Sequence, residues 1–211
     1  MARRENSEIN AGSMADIAFL LLIFFLVTTT MDVDSGISRK LSEKPPEDYK
    51  PPIIKMKNIL EININRNNEL LIEDEVKQVT DVKQIAIDFL DNGGGVGKVV
   101  EGVATGNCDY CNGMKDEKSS DHPNKAIISV QSDRGTSYGM YITVQNELLS
   151  AYTHLRNEYA KKHIKGQYAG MSYDDLLLLA GNDKENKSLK AVIEKVKNAY
   201  PQIISDAEPT K

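Results

Sequence analysis

The run from Met14 to Met31 (MADIAFLLLIFFLVTTTM) is the one long apolar stretch of this 211-residue chain, and it carries a carboxyl group, Asp16, near its start. An acidic residue in a spanning helix costs about 3 kcal/mol on insertion scales, so such residues face a protein interior and handle protons or ions. Read from Ile9 to Met31 the stretch is long enough to cross a bilayer, because about 20 helical residues span a hydrocarbon core of ~30 Å. A secretory signal peptide would also begin with basic residues such as Arg3 and Arg4. It would need a small-residue cleavage site, however, and after Val27 the chain continues Thr-Thr-Thr-Met-Asp-Val-Asp.

Arg3 and Arg4 precede the stretch while Asp32 and Asp34 follow it, so the positive-inside bias leaves residues 1–10 in the cytoplasm and everything after the helix outside. The expected boundaries are 1–10 for the cytoplasmic N-terminus, 11–31 for the transmembrane helix, 32–55 for a linker and 56–211 for an outer domain. On a wheel of about 100° per residue, Ile9, Gly12, Ser13, Asp16, Leu20, Ile23, Val27 and Thr30 share one stripe, with Phe24 and Phe25 turned away. Asp16 therefore shares a face with the small and hydroxyl groups of Gly12, Ser13 and Thr30. Such a face suits a polar-lined channel made by partner helices better than it suits lipid. The simpler alternative is a neutral Asp16 that joins two helices through a hydrogen bond.

These residues carry a resemblance. The segment Glu8-Ile9-Asn10, Asp16, and an apolar block ending Phe24-Phe25-Leu26-Val27-Thr28-Thr29 resembles the transmembrane signature of the ExbD/TolR family of proton-driven inner-membrane motor subunits. Family members usually carry a proline shortly before the aspartate, where this chain has Ser13-Met14-Ala15. The resemblance implies that Asp16 is the proton carrier and that protons, with no other cofactor, are the coupling ion. It implies a homodimer inside a pentamer of an ExbB-like membrane subunit, with either a TonB-like protein or, in TolR-like systems, peptidoglycan as the outer partner. It also implies a bacterial inner-membrane protein with a single span and a periplasmic C-terminal domain.

Mean hydropathy is negative in spite of the apolar run, so the remainder is polar and soluble. Net charge is −5 with no basic stripe, which argues against nucleic acid as a partner. Between Ser35 and Pro52 the chain is charged and holds two proline pairs, a tether that at ~3 Å per residue reaches up to ~50 Å. About 155 residues remain beyond it, enough for one domain with its own core. In the resembled family this post-membrane segment also contacts partners, which would make Leu41 and Tyr49 points of contact.

Past the tether the pattern alternates. Ile59, Glu61, Asn63 and Asn65 take one side of a strand and Leu60, Ile62 and Ile64 the other; Asn67-Asn68 turns the chain into a returning strand over Leu70 to Ile72. A helix follows from Thr80, with Val82, Ile85, Ala86, Phe89 and Leu90 on one face, and stops at Asn92-Gly93-Gly94-Gly95. A second pair consists of a strand over Ala126 to Gln131, a polar turn over Ser132 to Ser137, and a helix from Tyr138 to Lys162. The fold expected is α+β: a transmembrane helix followed by a small sandwich-like α/β domain, whose order of elements resembles the periplasmic domain of the ExbD/TolR family. Asp133 reads as a turn or N-cap residue and Tyr138 as a packing residue at the helix start.

Two segments extend this plan. Residues 93–124 form a glycine-rich, charged insertion expected at the surface. It contains Cys108-Asp109-Tyr110-Cys111, a spacing that serves redox motifs, half-zinc sites and local disulfides. A second Cys pair is absent from the chain and His122 is the one histidine nearby, so a zinc site would need Asp109, Asp116 or Asp121. Outside the cytoplasm a Cys108–Cys111 disulfide is the simplest outcome, and no metal is expected.

Residues 171–211 form a helical C-terminal extension. Ser172 caps a short helix over Leu176-Leu177-Leu178-Leu179, which reads as core; Asn186 to Tyr200 makes another with Leu189, Val192, Ile193 and Val196 on one face; Ile203-Ile204 pairs as an edge strand. No phosphate loop, nucleophile elbow or paired-histidine motif is present, and His154 and His163 are expected to face solvent. The chain therefore reads as a non-enzyme: an ExbD-like transducer energising TonB-dependent outer-membrane transport. The alternatives are a TolR-like envelope-maintenance subunit and an anchored binding domain without proton transfer.

Overall fold

Alternating burial along residues 59–64 sets the architecture: Leu60, Ile62 and Ile64 are buried while Glu61 is exposed and Asn63 half-buried, so one face of this strand belongs to a core and the other meets water. In a computed structural model, which describes residues 11–28, 54–97, 99–100, 103–104, 106–183 and 185–207, the chain falls into two units, Met1–Lys50 and Pro51–Lys211. The described part of the first is helix α1 (Ala11–Thr28).

In the second unit, strand β1 (Ile59–Ile64) turns through Asn68, whose φ is +61°, into β2 (Leu70–Ile72). Asn65 Oδ1 holds that turn by accepting from the backbone N–H of Asn67 (2.9 Å) and Glu69 (2.8 Å). The chain reverses again through Glu73 (φ +50°) and Asp74 (φ +67°) into β3 (Glu75–Lys77), a strand that the sequence pattern does not announce. Helix α2 (Val79–Leu90) and a two-stranded ribbon, β4 (Val99–Val100) with β5 (Val103–Ala104), lead to β6 (Ile127–Ser132). Helix α3 (Tyr138–His163), α4 (Tyr173–Asn182) and α5 (Lys187–Ala199) precede the last strand, β7 (Ile204–Asp206).

The five-stranded sheet runs β3-β2-β1-β6-β7. Strands β1 and β2 are antiparallel, with Ile62 opposite Ile72; β1 and β6 are parallel, with Ile62 opposite Val130; β6 and β7 are parallel, with Ile128 opposite Ile204. The sheet's apolar face meets Val82, Ala86, Phe89 and Leu90 of α2 and Val144, Leu148, Ala151, Tyr152 and Leu155 of α3. Ala199 and Tyr200, at the end of α5, complete the same core. A second, smaller core joins Ala160 and Ile164 to Tyr168, Tyr173, Leu176, Leu189, Ile193 and Val196.

The helix ends follow their caps. Ser137 Oγ accepts from Met140 N–H (3.3 Å) to open α3; Ser172 and Asp175 form a reciprocal capping box on α4; Asn186 Oδ1 accepts from Leu189 N–H (3.0 Å) to open α5. Three expectations are corrected. Leu177, Leu178 and Leu179 are exposed, Leu178 at 70 %, and only Leu176 reaches the core. The four leucines occupy consecutive positions about 100° apart, so a helix packed on one side cannot bury them all. Tyr138 is 77 % exposed and does not pack. Residues 93–124 are not a bare surface loop, because Cys108, Cys111, Ser120 and Asp121 are buried in it.

Candidate functional site

Helix α1 is built from Ala, Leu, Ile, Phe and Val with no interior proline, and Asp16 is its sole ionisable side chain. Gly12 lies four residues and Ser13 three residues before Asp16, so the three share a helix face as the sequence requires. Every large apolar side chain from Met14 to Leu26 is exposed. Its 18 residues rise ~27 Å. Among the described residues, no helix is long and apolar enough to cross a membrane. Thr30 and the rest of the expected span to Met31, residues 1–10, Leu41 and Tyr49, and the tether as far as Ile53 lie outside the described residues.

The second constellation lies in the second unit. Cys108 and Cys111 are joined as a disulfide with Cα atoms 5.5 Å apart. Both pack under Gly93, whose φ of +64° suits glycine and where a Cβ would come within 2.7 Å of the Cys111 Cβ. The four-residue loop presents Tyr110, whose hydroxyl donates to the carbonyl of Ala199 (2.6 Å). The Tyr110 ring makes edge contacts with Tyr159 (5.1 Å), Tyr200 (5.5 Å), His122 (5.7 Å) and His163 (6.4 Å). Tyr200 in turn donates to Asp91 Oδ1 (2.6 Å), and Asp91 Oδ2 accepts from Asn112 N–H (3.1 Å). Burial, with the neighbouring Tyr159 and Asp91, pushes the Tyr110 phenol up to about 12; burial and the Asp91 hydrogen bond also push Tyr200 up. The Tyr110 and Tyr200 phenols thus keep their protons at physiological pH, and the cluster clasps the insertion to α3 and to the end of α5.

His163 stacks on Tyr159 at 4.6 Å and 16°, which corrects the expectation that it faces solvent. His154 is exposed, beside Glu158. Sequence reasoning missed this cluster, although Tyr159 and His163 stand four apart on one helix and Tyr110 sits between the cysteines.

The Asp121 carboxylate is engaged by two lysines. Lys57 Nζ lies 2.5 Å and Lys55 Nζ 3.6 Å from its carboxylate, and its backbone N–H donates to Asn58 Oδ1 (2.7 Å). Burial alone would raise the Asp121 carboxyl, but the Lys57 and Asn58 hydrogen bonds and the two lysine charges outweigh it and hold the carboxyl below its ordinary value. Among the described residues, no group of three His, Cys, Asp or Glu side chains is placed to hold a metal. Burial, with the charge of Lys125, lowers the pKa of His122. Asp133 is a turn residue and not the cap of α3: its Oδ1 accepts from Gly135 N–H (2.8 Å), and Arg66 lies 3.4 Å from its Oδ2.

The described residues combine an apolar helix that bears one carboxyl with an α+β domain whose sheet holds a parallel β1–β6 pair. The chain belongs to the ExbD/TolR family, described as Biopolymer transport protein ExbD/TolR, which it matches over residues 2–156. The match takes in α1, the sheet as far as β6 and most of α3; α4, α5 and β7 lie beyond it. Members of this family are non-enzymatic energising subunits of biopolymer transport, are generally anchored in the inner membrane and generally work with ExbB/TolQ-type membrane partners. No curated protein matches the chain in sequence.

Proposed function

We propose that this chain is the proton-coupling subunit of an inner-membrane motor of the ExbD type, with Asp16 as the proton carrier and a TonB-like protein as its outer partner. The observation that carries the reading is the lone carboxyl of α1, placed inside the family-matched residues among ten exposed large apolar side chains. Left in water, each of those side chains forgoes about 1.5 kcal/mol or more of burial, so α1 calls for lipid or partner helices around it. The sequence continues with Ile9 and Asn10 before α1 and with Thr29, Thr30 and Met31 after it, and these residues supply the length of a span.

The mechanism follows from electrostatics. A proton crossing the full membrane potential releases about 2.3 kcal/mol per 100 mV. Asp16 takes the proton from one side, becomes neutral and loses its preference for the polar lining, then releases the proton to the other side. In a dimer enclosed by an ExbB-like pentamer, alternating neutralisation of the two aspartates drives stepwise motion, and the tether passes that motion to the periplasmic domain. Gly12 and Ser13 keep the Asp16 face small and hydrogen-bonding.

The test is Asp16→Asn in the native host, with protein level and partner association held constant. Loss of energised outer-membrane uptake supports the ExbD-type reading. Loss of envelope integrity with normal uptake replaces it with the TolR-type, peptidoglycan-facing role. Wild-type behaviour in both assays leaves an anchored binding domain.

A further inference from the structure

We propose that the groove between α2 and the insertion binds a lysine or arginine side chain presented by a partner polypeptide. The groove is a cavity of about 560 Å³, within the ~300–1,000 Å³ range of ligand sites. Its floor is apolar, made by Leu60 of β1 with Ile85 and Phe89 of α2. Its walls bring together three carboxylates from three separate segments: Glu73 at the β2–β3 turn, Asp88 on α2 and Asp116 in the insertion. Among the described residues no lysine or arginine lines it. Of the lysines on the flanking segments, Lys57 pairs with Asp121 and Lys77 with Glu75.

The insertion wall is tied to the end of α2 by hydrogen bonds. Asn92, buried at the end of α2, donates through Nδ2 to the carbonyls of Asp116 (2.9 Å) and Ser120 (2.8 Å) and accepts from Asp116 N–H through Oδ1 (3.0 Å). Gly113 N–H donates to the carbonyl of Asp91 (3.0 Å). A Cβ on Gly113 would come within 2.5 Å of that same oxygen, so only glycine lets the wall sit this close. A backbone wall held in place this way lowers the ordering cost of binding, which then falls on the exposed side chains at the rim.

An apolar floor beneath three carboxylates matches one chemistry, a cation on an apolar stem, whose methylenes lie on Leu60 and Phe89 while its head meets the acids. A polypeptide is favoured over a free amine by Met114, which lines the mouth and is 90 % exposed. A flexible thioether at a rim offers contact to residues flanking an inserted side chain, and a free amine has no such residues. The site involves neither α1 nor Asp16 and stands independently of the proton-coupling reading.

The test uses the full chain in detergent micelles and the labelled peptide acetyl-Gly-Leu-Lys-Leu-Gly-amide, followed by fluorescence anisotropy. Saturable binding is expected, weaker by about tenfold or more when norleucine replaces lysine or in the Glu73→Gln/Asp88→Asn double variant. Both changes are on exposed side chains, and circular dichroism checks that the variant is folded. Asp183→Asn, which does not line the groove, leaves binding unchanged, and Met114→Ala weakens the peptide more than n-butylamine. No binding, equal binding of the norleucine peptide, indifference to the double variant, or n-butylamine binding as tightly as the peptide each overturns the proposal.

Discussion

Asp121 is 1 % exposed and its carboxylate faces Lys55 and Lys57, two lysines near the start of the second unit, and its charge is worth keeping only while they face it. With its carboxyl held below the unfolded value of ~3.9, its stabilisation is fully present above about pH 4 and is lost as pH falls through the lower, folded value. Asp121→Asn is expected to lower stability by about 2 kcal/mol at pH 7, since it removes charged hydrogen bonds and leaves Lys55 and Lys57 without their counter-charge. Urea unfolding at pH 7 and again near pH 3 checks this, and the gap between wild type and variant should close at the lower pH. Nothing in the sequence pairs Asp121 with Lys55 and Lys57, because a contact across more than sixty residues leaves no local pattern. Asp16 is the opposite case: it stands out because its neighbours in sequence already define an environment hostile to charge.

At the scale of elements, periodicity was a reliable guide wherever one face of an element is buried. The alternation over 59–64 and the apolar stripes of α2 and α5 gave these elements to within a residue or two. It misled at Leu176–Leu179, where hydrophobic composition suggested burial that helix geometry allows at one position only. Leu176→Ala is expected to cost about 2–5 kcal/mol, and Leu178→Ser to stay within about 0.5 kcal/mol of wild type; thermal melts of the two separate a core residue from an exposed one. The strand β3 escaped notice because Glu75-Val76-Lys77 at a sheet edge is too short and too polar to alternate.

The disulfide loop acts at the same scale. Closing so short a loop gives about 2 kcal/mol in the chain-entropy account, and the larger effect is that it seats Tyr110 against Ala199 and Tyr200. Cys108→Ser/Cys111→Ser is expected to lower stability by about 2 kcal/mol. It should also raise amide exchange near residues 196–200 ahead of global unfolding, a pattern that hydrogen-exchange mass spectrometry reads directly.

For the whole molecule, the two units divide the work differently from their sizes. The second unit owes its sheet, its two cores and its clasp to more than 150 residues, yet the chemistry proposed for the protein rests on one carboxyl in α1. The sequence alone exposed that carboxyl, its Gly12–Ser13 face and the α+β order of the domain. It did not expose the aromatic clasp or the acidic groove, which arise only when the insertion folds back on α2. The most direct test of the account is proton flux in vesicles that hold the chain with its ExbB/TolQ-type partner, read with an internal pH dye under an imposed proton gradient. The account predicts flux for the wild type and background leakage for Asp16→Asn at equal assembly; equal flux in the two would contradict it.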